Sequence, residues 1–272
     1  MVYKVFALST LAALAPVLPG HQALASDTSL SLFGETTIGG ITAKVTSGVN
    51  PDGTGTSGTF SEFYDDNTVT IDFNAAPTPL GENRYTFGTD LITYTFEQEL
   101  GAALSKTTGV YNERWAPTGA NGEKNTSNYL AVFQGNSVTI DLDTELNYFG
   151  INWGALSKGN NFTFLKDGTP LSTFTTKDIN PIAAVKATHQ KNEGNGYVHF
   201  YTSTTGSSFD QISISQTSNG GFETDNHSFR IGDEPFDFDE NLPAPETVPE
   251  PTTLISLAVI GGLVFSRKRL RA

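Results

Sequence analysis

Short runs of alternating apolar and polar residues fill the middle of the chain, and turn-forming residues separate them. Val69 to Phe73 and Phe209 to Gln216 are typical runs, and Asp167-Gly168 is typical of the turns. A period of two indicates β-strands with one buried face. Many short strands, with at most one helix between Asp178 and His189, predict an all-β fold. We expect an antiparallel two-sheet sandwich with a jelly-roll-like arrangement.

The first apolar stretch has a different character. Lys4 precedes an Ala- and Leu-rich run from Val5 to Leu18, and Ala23-Leu24-Ala25 follows it. A positive start, an apolar middle and small residues at the end are typical of a secretory signal peptide. Residues 1–25 are therefore predicted to direct export, with signal peptidase as a partner and Ser26 as the first mature residue.

The last apolar stretch lies between a proline-flanked acid and a basic tail. Val248-Pro249-Glu250-Pro251 comes first, and an apolar run from Leu254 to Phe265 follows. The basic tail contains Arg267, Lys268, Arg269 and Arg271. The run is shorter than the roughly 20 residues of a full span, and positive charges favour the cytoplasmic side. Residues 248–272 are therefore predicted to contain a single short hydrophobic helix that anchors the chain in the inner membrane.

These three parts, in this order, resemble the PEP-CTERM sorting signal of exosortase substrates. The resemblance implies that an exosortase recognises Pro249-Glu250-Pro251, cuts nearby and passes the exported domain to the cell surface. The transient membrane anchor would then be lost. A plain C-terminal anchor that is never cut is the alternative.

Composition narrows the role of the residues between the two signals. Residues 26–232 are predicted to form the β-sandwich ectodomain, and the acidic, proline-rich stretch 233–247 a spacer. The chain has no cysteine and a formal net charge of −13. Such a charge excludes nucleic acid as a partner, because nucleic-acid binding needs clustered positive charge. It suits solubility, cation binding or a surrounding of neutral polysaccharide.

The usual catalytic patterns are missing from the sequence. No two histidines have the spacing of a zinc-binding helix, and no serine lies in a G-x-S-x-G turn. His199 lies between Val198 and Phe200 in a predicted strand, and we expect it to face solvent. The acids neither support nor exclude a pair of glycosidase carboxylates. We therefore expect a protein that is not an enzyme.

Two groups of residues are candidates for ligand binding. Alternation predicts that Glu223, Asp225 and His227 share one face, where Glu223 and Asp225 would be oxygen ligands for calcium. A strand end with ordinary solvent-facing acids is the alternative. Tyr111 and Trp115 lie in or beside a polar stretch predicted as a long surface loop, and their rings could stack on sugars. A Trp in such a loop that only covers the end of the sandwich is the alternative.

A second resemblance covers part of the middle. The segments Tyr148 to Gly154 and Gly221 to His227 resemble exosortase-dependent surface proteins of cyanobacteria. This implies location and architecture but no activity. The leading hypothesis is an exported surface or extracellular-matrix protein near exopolysaccharide. A carbohydrate-binding, lectin-like module stabilised by calcium is the alternative, and a hydrolase with a hidden site is the third.

Overall fold

The computed structural model describes residues 34–63, 66–97, 107–112, 115–154, 156–183 and 196–243. All of them belong to one unit, Thr28–Pro245. A second unit contains Met1–Asp27 and Glu246–Ala272 and lies outside the described residues. The predicted signal peptide, sorting motif, hydrophobic helix and basic tail therefore all lie outside the described residues.

Antiparallel strands make up almost all of the regular structure. The described residues form fourteen strands and one short helix: β1 (Gly34–Ile38), β2 (Ile41–Thr46), β3 (Val69–Ile71), β4 (Pro77–Gly81), β5 (Arg84–Phe87), β6 (Ile92–Phe96), β7 (Gly109–Tyr111), β8 (Tyr129–Phe133), β9 (Asn136–Trp153), β10 (Asn160–Lys166), β11 (Thr169–Thr175), α1 (Thr176–Ile179), β12 (Tyr197–Thr202), β13 (Phe209–Gln216) and β14 (Gly221–Ile231). The predicted all-β antiparallel class is confirmed.

The long strand β9 organises the sheet. Its first half pairs with β6 and β13, and its second half pairs with β12 and β14. The change of partners falls around the exposed residues Asp143 and Thr144. All fourteen strands thus belong to one sheet that contains the path β1-β2-β12-β9-β13-β10-β11, rather than to two separate sheets. Because β1 also approaches β11, the sheet is nearly closed into a barrel.

Aromatic rings fill the space enclosed by this sheet. Phe162 on β10 lies 5.1 Å from Trp153, 5.2 Å from Phe200 and 4.9 Å from Phe222, centroid to centroid. These partners are on β9, β12 and β14, so the contacts join β10 to strands with which it forms no backbone pairs. Each such aromatic pair contributes about 0.5–1.5 kcal/mol beyond its buried area. The alternation in the sequence predicts these inward positions well.

A layer of loops covers the other face of β9, β12 and β14. Residues 47–63 and 115–128 are bonded to each other, through Thr126 N to Thr56 O at 2.8 Å and Asn50 Nδ2 to Glu123 Oε1 at 3.0 Å. Residues 233–243, which we call the strap, lie over the same face and bury Phe236 and Phe238. The packed part of the chain therefore extends past Gly232 into the stretch predicted as a spacer.

No helix in the part of the chain that the structure describes is long and apolar enough to cross a membrane.

Candidate functional site

Polar side chains are buried between the sheet and the loop layer. We call this set the buried polar layer, and its members are Thr46, Ser61, Glu62, Tyr148, Asn152, Tyr197, His199, Asp225 and Asn226. Every one of them is at most 6% exposed. Burying so many polar groups costs free energy unless they are hydrogen-bonded, so their partners decide what the layer can do.

His199 is the centre of one network. Its Nδ1 lies 2.8 Å from the Tyr148 hydroxyl, and its Nε2 lies 2.9 Å from Thr46 Oγ1 and 3.0 Å from Glu62 Oε2. Ser61 Oγ continues the chain at 2.7 Å from the Tyr148 hydroxyl. The expectation that His199 faces solvent is wrong. It does point away from the aromatic core enclosed by the sheet, but the loop layer and the strap cover that face.

The carboxyl of Glu62 is held in its ionised form by this network. Burial alone would raise its pKa, but the charge and hydrogen bond of His199, with a hydrogen bond from Thr46, outweigh burial and hold the pKa below its ordinary value. A buried pair of this kind is costly to break, because either partner alone would be an uncompensated buried group.

The order serine, tyrosine, histidine, glutamate has the form of a proton relay, and it is closed off from solvent. Ser61 and His199 are both 0% exposed. The rings of Phe63 and Phe238 lie 5.8 Å and 5.0 Å from the His199 ring and seal the network from solvent. These contacts hold Tyr148, His199 and Glu62 together between the sheet and the loop layer.

A bulge in β14 separates the predicted calcium ligands from His227. The pairing of β14 with β9 shifts between Asp225 and Ser228, and Asn226 has a φ of 48°. The extra residue turns His227 to the inner face, so the prediction that it shares a face with Glu223 and Asp225 is wrong. His227 Nδ1 lies 3.0 Å from the Tyr94 hydroxyl and its Nε2 2.8 Å from Thr224 Oγ1. Burial lowers the pKa of His227 to about 3.

Asp225 ties β14 to the loop at 115–128. Asn125 Nδ2 donates to its Oδ2 at 2.8 Å, Ser127 Oγ to the same oxygen at 3.3 Å, and Asn226 N to Oδ1 at 2.8 Å. Burial raises the pKa of Asp225 well above its ordinary range, although these bonds oppose the shift.

Asn226 holds the other loop. Its Nδ2 donates to the carbonyl oxygens of Ser57 at 2.8 Å and Thr59 at 2.9 Å. The bulge is therefore the point at which β14 anchors both covering loops.

Glu223 lies on the same outer face as Asp225, opposite Ala131 of β8. It is 6% exposed, and burial raises its pKa to about 7. Among the described residues, no group of three or more His, Cys, Asp or Glu side chains is placed to hold a metal ion. Calcium at Glu223 and Asp225 stays a prediction.

Tyr111 and Trp115 come together in a separate aromatic cluster with Tyr129 and Phe133. Tyr111 is only 8% exposed, and its hydroxyl donates to Thr107 O at 2.6 Å. Trp115 is half-buried against the same cluster. Of the two predicted stacking residues, only Trp115 keeps appreciable exposed surface.

The sequence pattern does not predict the buried polar layer, because loops rather than strands cover it. One signal was available. Phe236-Asp237-Phe238-Asp239 alternates with a period of two inside the acidic stretch, and that pattern indicates a segment with one buried face.

Comparisons with known proteins add little. No family model and no curated protein matches the chain. Among solved structures, a chain described as "CpGH89CBM32-6 produced by Clostridium perfringens" is similar with a TM-score of 0.28 and 13% identity, over 53% of this chain and 97% of that one. A likeness this distant carries no argument about fold or function.

Proposed function

We propose that this chain is an exported, non-enzymatic surface or extracellular-matrix protein, sorted and cut by an exosortase at the motif Val248-Pro249-Glu250-Pro251. In this account residues 1–25 direct export and the hydrophobic helix within residues 248–272 holds the chain briefly in the inner membrane. The antiparallel β-sheet domain is the part that remains at the cell surface.

The observation that carries the proposal is the order of motif, apolar run and basic tail within residues 248–272. The geometry of the domain supports the non-enzymatic part. Five buried side chains of the described residues are candidates for acid–base chemistry, and each is at most 6% exposed: Glu62, His199, Glu223, Asp225 and His227. Most of them anchor loops and strands, as the parts of a scaffold would.

The processed ends test this function directly. We expect the protein recovered from the cell surface to begin at Ser26 and to lack the basic tail, when its intact mass is measured by mass spectrometry. A surface form whose mass still includes Arg267 to Ala272 would support the plain membrane anchor instead.

The lectin-like alternative depends on Trp115, the half-buried member of the predicted stacking pair. If Trp115→Ala abolishes binding on a glycan array while Tyr129→Phe does not, that alternative gains support. Unchanged binding by Trp115→Ala would show that the Trp115 ring does not stack on the sugar.

A further inference from the structure

Three asparagines and one aspartate meet under the covering loops, at the bulge of β14. Asn152 on β9 lies directly across from Asp225, and Asn226 follows at the bulge. Asn125 reaches the same place from a covering loop and donates to Asp225. The amide nitrogens of the three asparagines all lie within 3.0 Å of one point, the position that a Cβ atom would take at Gly58. We call Asn125, Asn152, Asp225 and Asn226 the asparagine cluster.

Backbone carbonyl oxygens of both covering loops surround the cluster. Asn226 Nδ2 lies 2.8 Å from Ser57 O and 2.9 Å from Thr59 O. Asn152 Nδ2 lies 2.9 Å from Thr118 O. One carboxylate, three amides and three carbonyl oxygens therefore share one buried place, and oxygen is the ligand atom that calcium prefers.

No positive side chain of the described residues balances the charge of Asp225, which is 0% exposed. Both of its oxygens accept hydrogen bonds from N–H groups, of Asn125 and Asn226, as those of an ionised carboxylate do. None of the ion pairs between described side chains includes Asp225. An isolated buried carboxylate is costly, so such a group is normally paired with a cation or bound to a metal ion.

Two amide oxygens of the cluster have no donor. Asn152 Oδ1 and Asn226 Oδ1 are buried and accept no hydrogen bond from any described residue. Buried polar atoms are normally satisfied, and an unpaired one points to a water molecule or an ion. The unbalanced carboxylate and the unpaired oxygens are separate observations, and a bound cation would satisfy both.

The spacing of the cluster matches the ligand shell of calcium. A half-turn of a side-chain amide exchanges the positions of its oxygen and nitrogen. After this turn the amide oxygens of Asn152 and Asn226 would lie 2.8–2.9 Å from the loop carbonyl oxygens. Neighbouring oxygens in the equatorial plane of a pentagonal bipyramid, with ligands at about 2.4 Å, are about 2.8 Å apart. Oxygens this close repel each other unless a cation lies among them, so the nitrogens face the carbonyls when no ion is bound.

We propose that the asparagine cluster binds one calcium ion. Its ligands are one carboxylate, two amide oxygens and three loop carbonyls, from Asp225, Asn152, Asn226, Ser57, Thr59 and Thr118. Asn125 donates to the carboxylate and holds it in place. A site with a single carboxylate suits the calcium concentrations outside cells, where protein modules bind the ion with dissociation constants of about 10⁻⁴–10⁻³ M.

This ligand set differs from the pair that the sequence predicts. Asp225 belongs to both sets, but the Glu223 carboxyl makes no hydrogen bond to any member of the cluster, and its Oε1 lies beside Gly221 instead. Bound calcium would join β9, β14 and both covering loops, so it would stabilise the fold. The inference goes beyond the proposed function and does not depend on how the protein reaches the surface.

Thermal unfolding of the purified full chain, first stripped of metal with a chelator, tests the site. Calcium at about ten times its dissociation constant should raise the melting temperature of the wild type by about 3–6 °C. Asp225→Asn should bind calcium at least about tenfold more weakly and lose this rise, because the only charged ligand is gone. Glu223→Gln makes the same chemical change two residues away on the same strand and should keep the rise.

Terbium luminescence gives a second readout, which needs no variant. The Tyr197 hydroxyl donates to Asn226 O at 2.8 Å, so the Tyr197 ring is close enough to sensitise a terbium ion in the cluster. We expect terbium emission from the wild type, and calcium should displace it.

The outcomes are distinct. If the wild type shows neither the temperature rise nor the terbium emission, the proposal is overturned, and an equal rise in the wild type and Asp225→Asn overturns it too. A rise that Glu223→Gln loses and Asp225→Asn keeps would assign the ion to Glu223 instead. An equal rise with magnesium or sodium chloride would show a general salt effect and also overturn the proposal. Every measurement uses isolated protein, so a failure here is distinct from a failure of the sorting proposal.

Discussion

Glu223 and His227 lie on the same strand and are both buried, yet burial shifts their pKa values in opposite directions. The pKa of Glu223 rises to about 7, and that of His227 falls to about 3. In both cases burial disfavours the charged form. Each residue therefore makes stability depend on pH, with opposite sign.

Glu223 makes the protein less stable as pH rises. Its folded pKa is raised above the ordinary 4.5, so the stabilisation is complete below pH 4.5 and lost as pH rises towards 7. Relative to Glu223→Gln, the wild type should lose about 3 kcal/mol of unfolding free energy between pH 4.5 and 7. Urea unfolding at the two pH values measures this. A pH-independent difference between the wild type and Glu223→Gln would contradict this expectation.

His227 acts in the other direction. Its folded pKa lies below the ordinary 6.5, so the unfolded chain takes up a proton that the folded protein refuses as pH falls. Relative to His227→Gln, the wild type should lose about 1.4 kcal/mol per pH unit between pH 6.5 and about 3. The same urea titrations give the slope. A constant difference between the two proteins across this range would show that His227 is protonated inside the fold.

At the scale of elements, the bulge in β14 anchors this strand to the two loops that cover it. Asn226 combines a left-handed backbone with side-chain bonds to the carbonyl oxygens of Ser57 and Thr59. Asparagine tolerates this conformation better than alanine does, and glycine best of all.

Two substitutions separate the backbone effect from the side-chain effect at Asn226. Asn226→Gly should destabilise the protein by about 1–3 kcal/mol, because two loop carbonyls lose their donor. Asn226→Ala should cost about 1 kcal/mol more, because of its left-handed backbone. Denaturant midpoints compare both with Asn219→Ala in an exposed turn. Equal stability of the alanine and glycine variants would mean that the bulge relaxes.

The strap is the second element whose contribution can be measured. Phe236 and Phe238 pack on Phe63 with ring centroids 5.2 Å and 5.0 Å away, and Lys44 Nζ lies 4.2 Å from the Phe238 centroid. We expect Phe238→Ala to cost about 3–5 kcal/mol of unfolding free energy.

The exposed ion pair beside it should matter much less. Asp239 Oδ1 lies 3.5 Å from Lys44 Nζ with its side chain 80% exposed, so Asp239→Asn should cost at most about 1 kcal/mol. Thermal unfolding of both variants, with Leu80→Ala as an exposed apolar control, makes the comparison. If Phe238→Ala had the same melting temperature as the control, the strap would not be part of the folded unit.

Over the whole molecule, period-two patterns predict the strands and the inward residues, because alternation depends only on which face is buried. Phe162, Ile212 and Ile214 were predictable in this way. Three features were not. His199 is buried by loops distant in sequence, Asn226 breaks the alternation of its own strand, and β9 changes partners midway, so two expected sheets become one. Each depends on contacts between distant segments, which a local pattern does not record.

The folded domain and residues 248–272, which we call the sorting segment, have separate parts in the proposed function. Within the domain, Glu62, His199, Asp225 and His227 are buried. The sorting segment supplies the proposed route to the surface. The route is the central claim, since the role of the domain outside the cell depends on it.

Alanine substitution of Pro249, Glu250 and Pro251, followed by measurement of the product's mass and location in cells, tests this claim most directly. Pro243, Pro245 and Glu246 contain the same residue types and provide a matched control triple. We predict that the motif variant keeps its C-terminal segment and stays in the inner membrane, whereas the control triple is cut and displayed like the wild type. If the motif variant is processed and exposed at the surface as before, the sorting account is wrong.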